Sequence, residues 1–428
     1  MNHIERLILQ YLDFSSSETR HMPDWVQARE SEWQRALKFT DNAGLTLHLR
    51  RRLQDRNHYE NVPLFVKQRL DQNLEDNRVR TGLLMQELLR IHQQLQSKGV
   101  DHLVLKGLLL FPDFVDRPEH RVQNDYDLLL KAKDVGPAYS YLQELGYSPA
   151  HSNAKQRADH LPPLIKKTGY EWRGNLFDPA IPPGIELHYQ LWESGFERIS
   201  ILLFEDVWEQ SWMRAFQGVQ LQVLSQYHEL LYVTLHCCRH ILRSDLRLSH
   251  LYELAYFLHH RALTQEGLRG FLNWLQRCPG SSKLVATGVA LAVNLFRPAV
   301  DRSLSSWLTG NLSPGVKLWI TTYGYWDAIS GYKKNKNVLF LHFSLLSRQA
   351  DRWAVLKRKL FPEHLPLATS GIQFSSENRG LRFRLINFLA YICLVLRRTA
   401  FHLASDLDFC FQLPFWFSRR RRLSKLEF

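Results

Sequence analysis

The chain has 428 residues, 45% hydrophobic and 23% charged, with 24 Phe, 16 Tyr and 12 Trp. That composition excludes a disordered chain and leaves enough apolar material for two or three packed domains. A formal net charge of +13 directs attention to anionic partners: nucleotides, nucleic acid or an acidic membrane surface.

Cys237, Cys238, Cys278, Cys393 and Cys410 form no Cys-x-x-Cys pair and no regular framework. They read as reduced thiols of a cytosolic protein and give no support to zinc. The opening Met-Asn-His-Ile-Glu-Arg lacks the basic-then-apolar order of a signal peptide. No run reaches the roughly 18 apolar residues needed to span a bilayer.

In chain order, residues 1–99 read as helical. Trp33, Leu37, Leu45 and Leu49 recur at helical steps, and Leu83, Leu84, Leu88, Leu89 and Leu95 form a second stripe that Gly99 closes. The pattern then changes. Residues 102–105 read as a strand, 108–114 as a helix before Pro118, 125–130 as a second strand, and 134–145 as a helix closed by Gly146. This strand–helix alternation predicts a small α/β core over residues 100–204. Residues 148–183, with six prolines, read as loop, and Ile185-Glu186-Leu187-His188-Tyr189 as a further strand.

Residues 205–365 read as a helical domain, with helices near 229–242, 247–260, 268–275 and 284–296. The last segment, 366–428, is apolar and basic. Its 383–396 run is bracketed by arginines, and Arg419-Arg420-Arg421-Arg422 follows Phe415-Trp416-Phe417. Two readings stand: an interfacial helix anchored on an anionic membrane, or a buried terminal helix with a solvated basic tail.

The chemistry concentrates in Val104-Leu105-Lys106-Gly107 and Asp125-Tyr126-Asp127-Leu128-Leu129-Leu130. Alternation along a strand puts Asp125 and Asp127 on one face, where they can share divalent cations. Glu186, on the next strand-like run, is the natural third carboxylate. Gly107 lets backbone approach a phosphate where a strand turns into a helix, and Lys106 and Arg121 supply charge for a triphosphate. Carboxylates plus substrate phosphates are the ligands magnesium prefers, with manganese as a substitute.

Three histidines, His236, His240 and His250, recur near Cys237 and Cys238. The step of four from His236 to His240 is compatible with metal ligation, but no acidic residue completes a set, and they read as core or nucleotide-contacting residues. Lys333, Lys334 and Lys336 lie among Tyr323, Tyr325, Trp326 and Tyr332. They read as a solvated loop beside core aromatics, with nucleic acid left open as a partner.

The ordered set Leu105-Lys106-Gly107, Arg121, Asp125-Tyr126-Asp127-Leu128-Leu129, Leu145-Gly146-Tyr147 and Ile185-Glu186-Leu187-His188 resembles an uncharacterised bacterial nucleotidyltransferase family of the DNA polymerase β-like superfamily. The resemblance extends over about residues 25–365, through Glu87-Leu88-Leu89, Leu230–His236 and Leu360-Phe361-Pro362. It implies an α+β fold: a small mixed sheet with flanking helices, set between N-terminal and C-terminal helical regions. It further implies Asp125, Asp127 and Glu186 as magnesium ligands and Gly107 in the nucleotide-phosphate turn. Gly107 is followed by Leu108 where the superfamily usually has a second Gly or a Ser, and the gap to the aspartates is longer.

The leading expectation is a cytoplasmic enzyme, associated with the inner membrane face if the C-terminal segment binds it. It would move a nucleoside monophosphate from a nucleoside triphosphate such as ATP to an unknown acceptor, with Asp125, Asp127 and Glu186 holding two magnesium ions. A non-catalytic nucleotide-binding or interaction module of the same fold is the alternative. A glycosyltransferase using Asp-x-Asp is disfavoured by the helical lead-in.

Overall fold

Four helices open the chain because apolar residues return every three or four positions. They are α1 (His3–Leu12), α2 (Glu30–Ala43), α3 (Thr46–Asp55) and α4 (Leu64–Ser97). The computed structural model describes residues 3–15, 24–150, 159–203, 206–260, 263–330, 336–361 and 381–426. Trp33, Leu37, Leu45 and Leu49 are all buried. On α4, Leu84, Leu88, Ile91 and Leu95 are buried while Leu83 faces solvent.

Seven strands follow: β1 (His102–Leu105), β2 (Asp125–Leu130), β3 (Tyr147–Pro149), β4 (Leu164–Lys166), β5 (Gly184–His188), β6 (Trp212–Phe216) and β7 (Val219–Val223). They form one mixed sheet in the order β3-β4-β5-β2-β1-β7-β6. β2 runs antiparallel to β1 and parallel to β5, and β1 runs parallel to β7. Between them lie α5 (Ala132–Glu144) and the short α6 (Ser194–Glu197). After the sheet come α7 (Gln226–Arg243), α8 (Leu248–His259), α9 (Gln265–Gln276), α10 (Ser281–Phe296) and α11 (Arg302–Asn311). The fold is α+β.

The register separates the two faces of the sheet. Val104, Tyr126, Leu128, Leu130, Ile185 and Leu187 point one way and pack on Leu84, Leu88, Ile91 and Leu95 of α4 and on Ala138 and Leu142 of α5. Leu103, Leu105 and Leu129 point the other way, toward Tyr232 of α7. Asp125, Asp127, Glu186 and His188 share this second face. On this face Asp127 and His188 are buried, whereas Asp125 and Glu186 are half-buried.

Residues 1–170 and 175–312 form one compact unit, and 171–174 with 313–428 a second. The second contains α12 (Pro314–Trp319), a π-helical turn (Ile320–Gly324), α13 (Tyr325–Ile329), α14 (Val338–Leu345), α15 (Gln349–Leu360) and α16 (Leu381–Leu426). Trp416 of α16 stacks on Phe340 of α14 and Phe409 lies tilted against it, with ring centroids 4.7 and 4.9 Å away. Leu385, Phe388, Leu389, Ile392, Leu396, Leu403, Leu407, Phe411 and Phe415 are exposed. At 3.6 residues per turn they form one stripe, opposite the face that carries Phe409 and Trp416.

Several local expectations are corrected. Residues 108–114 form only a 3₁₀ turn (Gly107–Leu110), because Pro112 forces Phe111 into an extended conformation (φ −79°, ψ 137°). The proline-rich 148–183 stretch contributes the edge strands β3 and β4, each of three residues. The β6–β7 hairpin lies in a region expected to be helical, and Gln217 and Gly218 turn it with φ of 50° and 79°.

The C-terminal segment also differs. Among the described residues, Phe388–Leu423 is long and apolar enough, by length and composition alone, to cross a membrane. Arg397 and Arg398 interrupt the apolar run, but the helix continues through them and through Pro414. It is also not a buried terminal helix. Lys336, expected in a solvated loop, is buried, with Asp406 3.5 Å from its Nζ. Tyr332, Lys333, Lys334 and Pro362 lie outside the described residues.

Candidate functional site: a buried carboxylate cluster beside a cationic cavity

Strand pairing fixes the centre of the site. Asp127 stands opposite Glu186 across β2 and β5, and opposite Leu105 across β1 and β2. Lys106 follows directly after β1, so its Nζ reaches Asp127 Oδ2 at 2.9 Å. On the other side, His188 Nε2 lies 3.0 Å from Asp127 Oδ1 and 3.5 Å from Glu186 Oε2. Both oxygens of a carboxylate that is 1% exposed are thus engaged by nitrogen.

The network extends inward. His188 Nδ1 is 3.5 Å from Asp159 Oδ2, and Arg239 of α7 donates to the same oxygen. His160 Nε2 approaches Glu186 Oε2 at 3.7 Å. Burial by itself opposes charge on the His188 ring, but the carboxylates of Asp127, Asp159 and Glu186 hold its proton, raising the pKa to about 10. Burial opposes ionisation of Asp127 too, and Lys106 and His188 outweigh it, leaving the acid well below the usual carboxylate range. This centre is therefore a charged cluster at neutral pH, with Lys106, His188 and Arg239 balancing the acids.

Asp125 occupies a different position. It lines a cavity of about 240 Å³ together with Lys106, Arg121, Gln123, Asn124, His236, His240, Asp245, Arg247, Ser249 and His250. Arg121 is held by Glu253 of α8, Nε to Oε1 at 2.8 Å. Burial, and the neighbouring Asp127 and Glu186, push the Asp125 carboxyl above its usual range, although Lys106 and Arg121 oppose this. Burial pulls Arg247 down despite the nearby Asp125.

The connection between β1 and β2 is held from below. Gly107 has φ +69°, and a β-carbon there would lie 2.7 Å from Gln123 Nε2, so the turn demands glycine. Gln123 Nε2 in turn donates to the Asp125 carbonyl at 2.6 Å. From α4, the buried Arg80 donates to the carbonyls of Gln123, Asp178 and Ile181, and Asn77 to those of Glu119 and Arg121. These bonds fix the backbone that aims Arg121 and Asp125 at the cavity.

A family model described as "uncharacterised nucleotidyltransferase" matches residues 29–297. The chain belongs to this family. Membership supports nucleotidyl transfer, a transferase activity, as the general kind of chemistry. The match covers α2 through α10 and the whole sheet, and it ends short of the residue 365 expected from the sequence. No curated protein and no solved structure matches the chain.

In this nucleotidyltransferase-family chain, Asp127 and Glu186 come together with His188, one donor atom of each lying within 4.8 Å of the others. Asp125 is outside that group and faces the cavity, as do Lys106 and Arg121. Gly107 is buried behind them against Gln123. Sequence reasoning passed over Asp159, Arg239, Arg247, Glu253 and Arg80. The only local signal was the basic residues on α7 and ahead of α8, whose partners are distant in the chain.

Proposed function

We propose that the chain transfers a nucleoside monophosphate from a nucleoside triphosphate to an acceptor hydroxyl, phosphate or amine, using magnesium or manganese. The observation that carries this reading is the side-by-side pairing of Asp127 and Glu186 beside a cationic cavity lined by Asp125, Arg121 and Arg247. Carboxylate oxygens on one sheet face suit a hard cation, so Asp127, Glu186 and Asp125 are the residues that would hold it. The bound ion would neutralise charge on the triphosphate and activate the attacking oxygen.

The chain's own residues supply the rest. Arg121 and Arg247 draw the triphosphate into the cavity, and Glu253 fixes the direction of Arg121. Lys106 sits between cavity and cluster, with Nζ on Asp127. His188 holds its Nε2 proton toward Asp127, so the cluster keeps its charge balance when no cation is bound. Tyr232 and the helix that carries it pack on the sheet face where Asp127 and His188 are buried.

A second reading has its own observation. Lys106 and His188 already engage both oxygens of Asp127, which suits a nucleotide-binding module without turnover. Incubation of the purified chain with magnesium and each labelled triphosphate, alone and with lysate, separates the two. Label transfer or pyrophosphate release that is lost in Asp125→Ala/Asp127→Ala supports transfer. Saturable triphosphate binding with no product supports the module.

For the second unit we propose a peripheral contact with an anionic membrane through α16, at the cytoplasmic face where nucleoside triphosphates are available. The exposed apolar stripe on that helix, ending near Arg419–Arg422, supports it.

A further inference from the structure

Three side chains on the cavity wall take no part in this reading. His236 and His240 stand one turn apart on α7, and His250 lies in the first turn of α8. Their ring centroids are 4.5, 5.0 and 5.0 Å apart, pair by pair. One nitrogen of each lies within 4.8 Å of the others.

The finer geometry is that of a ligand set. His240 Nε2 and His236 Nε2 are 3.2 Å apart. Two imidazole nitrogens on one tetrahedral zinc, each about 2.0–2.1 Å from the ion, stand about 3.3 Å apart. His240 Nδ1 pairs with Asp245 Oδ1 at 2.9 Å, which keeps the proton on Nδ1 and turns the Nε2 lone pair inward. This is the carboxylate–histidine arrangement that orients metal-bound imidazoles. Nδ1 of His250 is buried with no hydrogen-bond partner, so this ring carries an unsatisfied nitrogen at the cluster.

We infer that His236, His240 and His250 bind a borderline divalent cation of the zinc class, leaving a coordination position open to the cavity that Asp125 lines. Three imidazoles select zinc, cobalt or nickel over magnesium, whereas the Asp127–Glu186 pair offers oxygen. The two groups therefore differ in the ion they take. Among the described residues no fourth donor joins the histidines, and three protein ligands with one free position is the pattern of a catalytic rather than a structural zinc. Of the nearby cations, Arg121 is paired with Glu253 and Lys106 with Asp127, while Arg247 lines the same cavity. The inference stands apart from nucleotidyl transfer, and either can fail alone.

Cobalt(II) titration of the chelator-stripped full chain tests it. The wild type should show visible d–d absorption that saturates at one equivalent and is displaced by zinc. His236→Ala and His250→Ala should weaken cobalt binding at least 100-fold, and Asp245→Asn about 10- to 100-fold. Asp127→Asn/Glu186→Gln should leave it unchanged. Thermal melting of the metal-free proteins establishes that each variant is folded, and His250→Gln replaces the alanine variant if that one is not. Absence of stoichiometric binding in the wild type overturns the inference. So does binding that survives the histidine changes, or that disappears with Asp127→Asn/Glu186→Gln.

Discussion

Lys106 and Asp127 form an ion pair of 2.9 Å in which the side chains are 6% and 1% exposed. A pair this deeply buried contributes little net stability, but removing one partner strands the other charge, typically at about 3–5 kcal/mol. Lys106→Ala should lower stability by that order in denaturant unfolding. Asp127→Asn combined with Lys106→Met should cost less than the two single changes added together, because the double variant removes both members of the pair. Magnesium should raise the melting temperature of Lys106→Ala more than that of the wild type, since the cation can replace the missing ammonium beside Asp127. Equal magnesium effects in the two proteins would argue against a cation at this carboxylate.

Gly107 combines a left-handed backbone with a close neighbour. Its φ is +69°, and an added methyl would meet Gln123 Nε2 at 2.7 Å. Gly107→Ala should therefore destabilise the protein by about 1–3 kcal/mol, the range for a residue held in a sparsely populated conformation. Gln123→Ala removes the clash but not the backbone strain. The double variant should thus recover part of the loss, with a coupling of about 0.5–3 kcal/mol. Strictly additive unfolding free energies would mean that the turn does not press on Gln123.

Glu87 ties α4 to the edge of the sheet. Its carboxylate accepts from Arg90 at 2.7 and 2.8 Å, from Lys166 at 2.9 Å and from Tyr147. The hydrogen bond from Arg90, opposed by burial and helped by Tyr147 and Lys166, lowers its pKa from 4.5 to about 2. A carboxyl depressed on folding stabilises fully above its unfolded pKa and loses that contribution as pH falls through the folded one. Stability should therefore drop between about pH 4.5 and 2. In Glu87→Gln the drop should be smaller by roughly 1–2 kcal/mol, after allowance for partial solvent screening. Parallel pH–stability curves for the two proteins would remove Glu87 from the acid response.

The parts of the fold that were legible in the sequence rest on local periodicity. Alternation alone put Asp125 and Asp127 on one face, and the register of β2 with β5 then set Glu186 beside Asp127. Buried ion pairs leave no such trace. Arg121 meets Glu253 across 132 residues, and Asp159 meets Arg239 across 80. Three-residue strands such as β3 are too short to show a period. The β6–β7 hairpin did carry a signal, Gln217-Gly218 between alternating runs, but the helical pattern downstream masked it. For α16, counting consecutive apolar residues hid a stripe that only the helical repeat reveals.

That stripe gives the last expectation. Leu396, Leu403, Leu407 and Phe411 are exposed on the face of α16 opposite Phe409 and Trp416, which are buried in the second unit. Because the buried face already has partners, the stripe is free to enter a lipid interface while the helix stays packed. Arg419, Arg420, Arg421 and Arg422 add attraction to anionic headgroups of about 1 kcal/mol per residue near the surface. The protein should therefore float with vesicles containing phosphatidylserine and much less with neutral ones, and the difference should shrink at high salt. Replacing the four arginines with glutamine should weaken anionic-vesicle binding roughly 100- to 1,000-fold, as about 4 kcal/mol implies. Leu403→Ser/Leu407→Ser/Phe411→Ser should weaken binding to both vesicle types while leaving the melting temperature close to wild type, because all three side chains are largely exposed. A wild-type chain that stays at the bottom of the gradient with anionic vesicles at low salt would rule out the membrane contact.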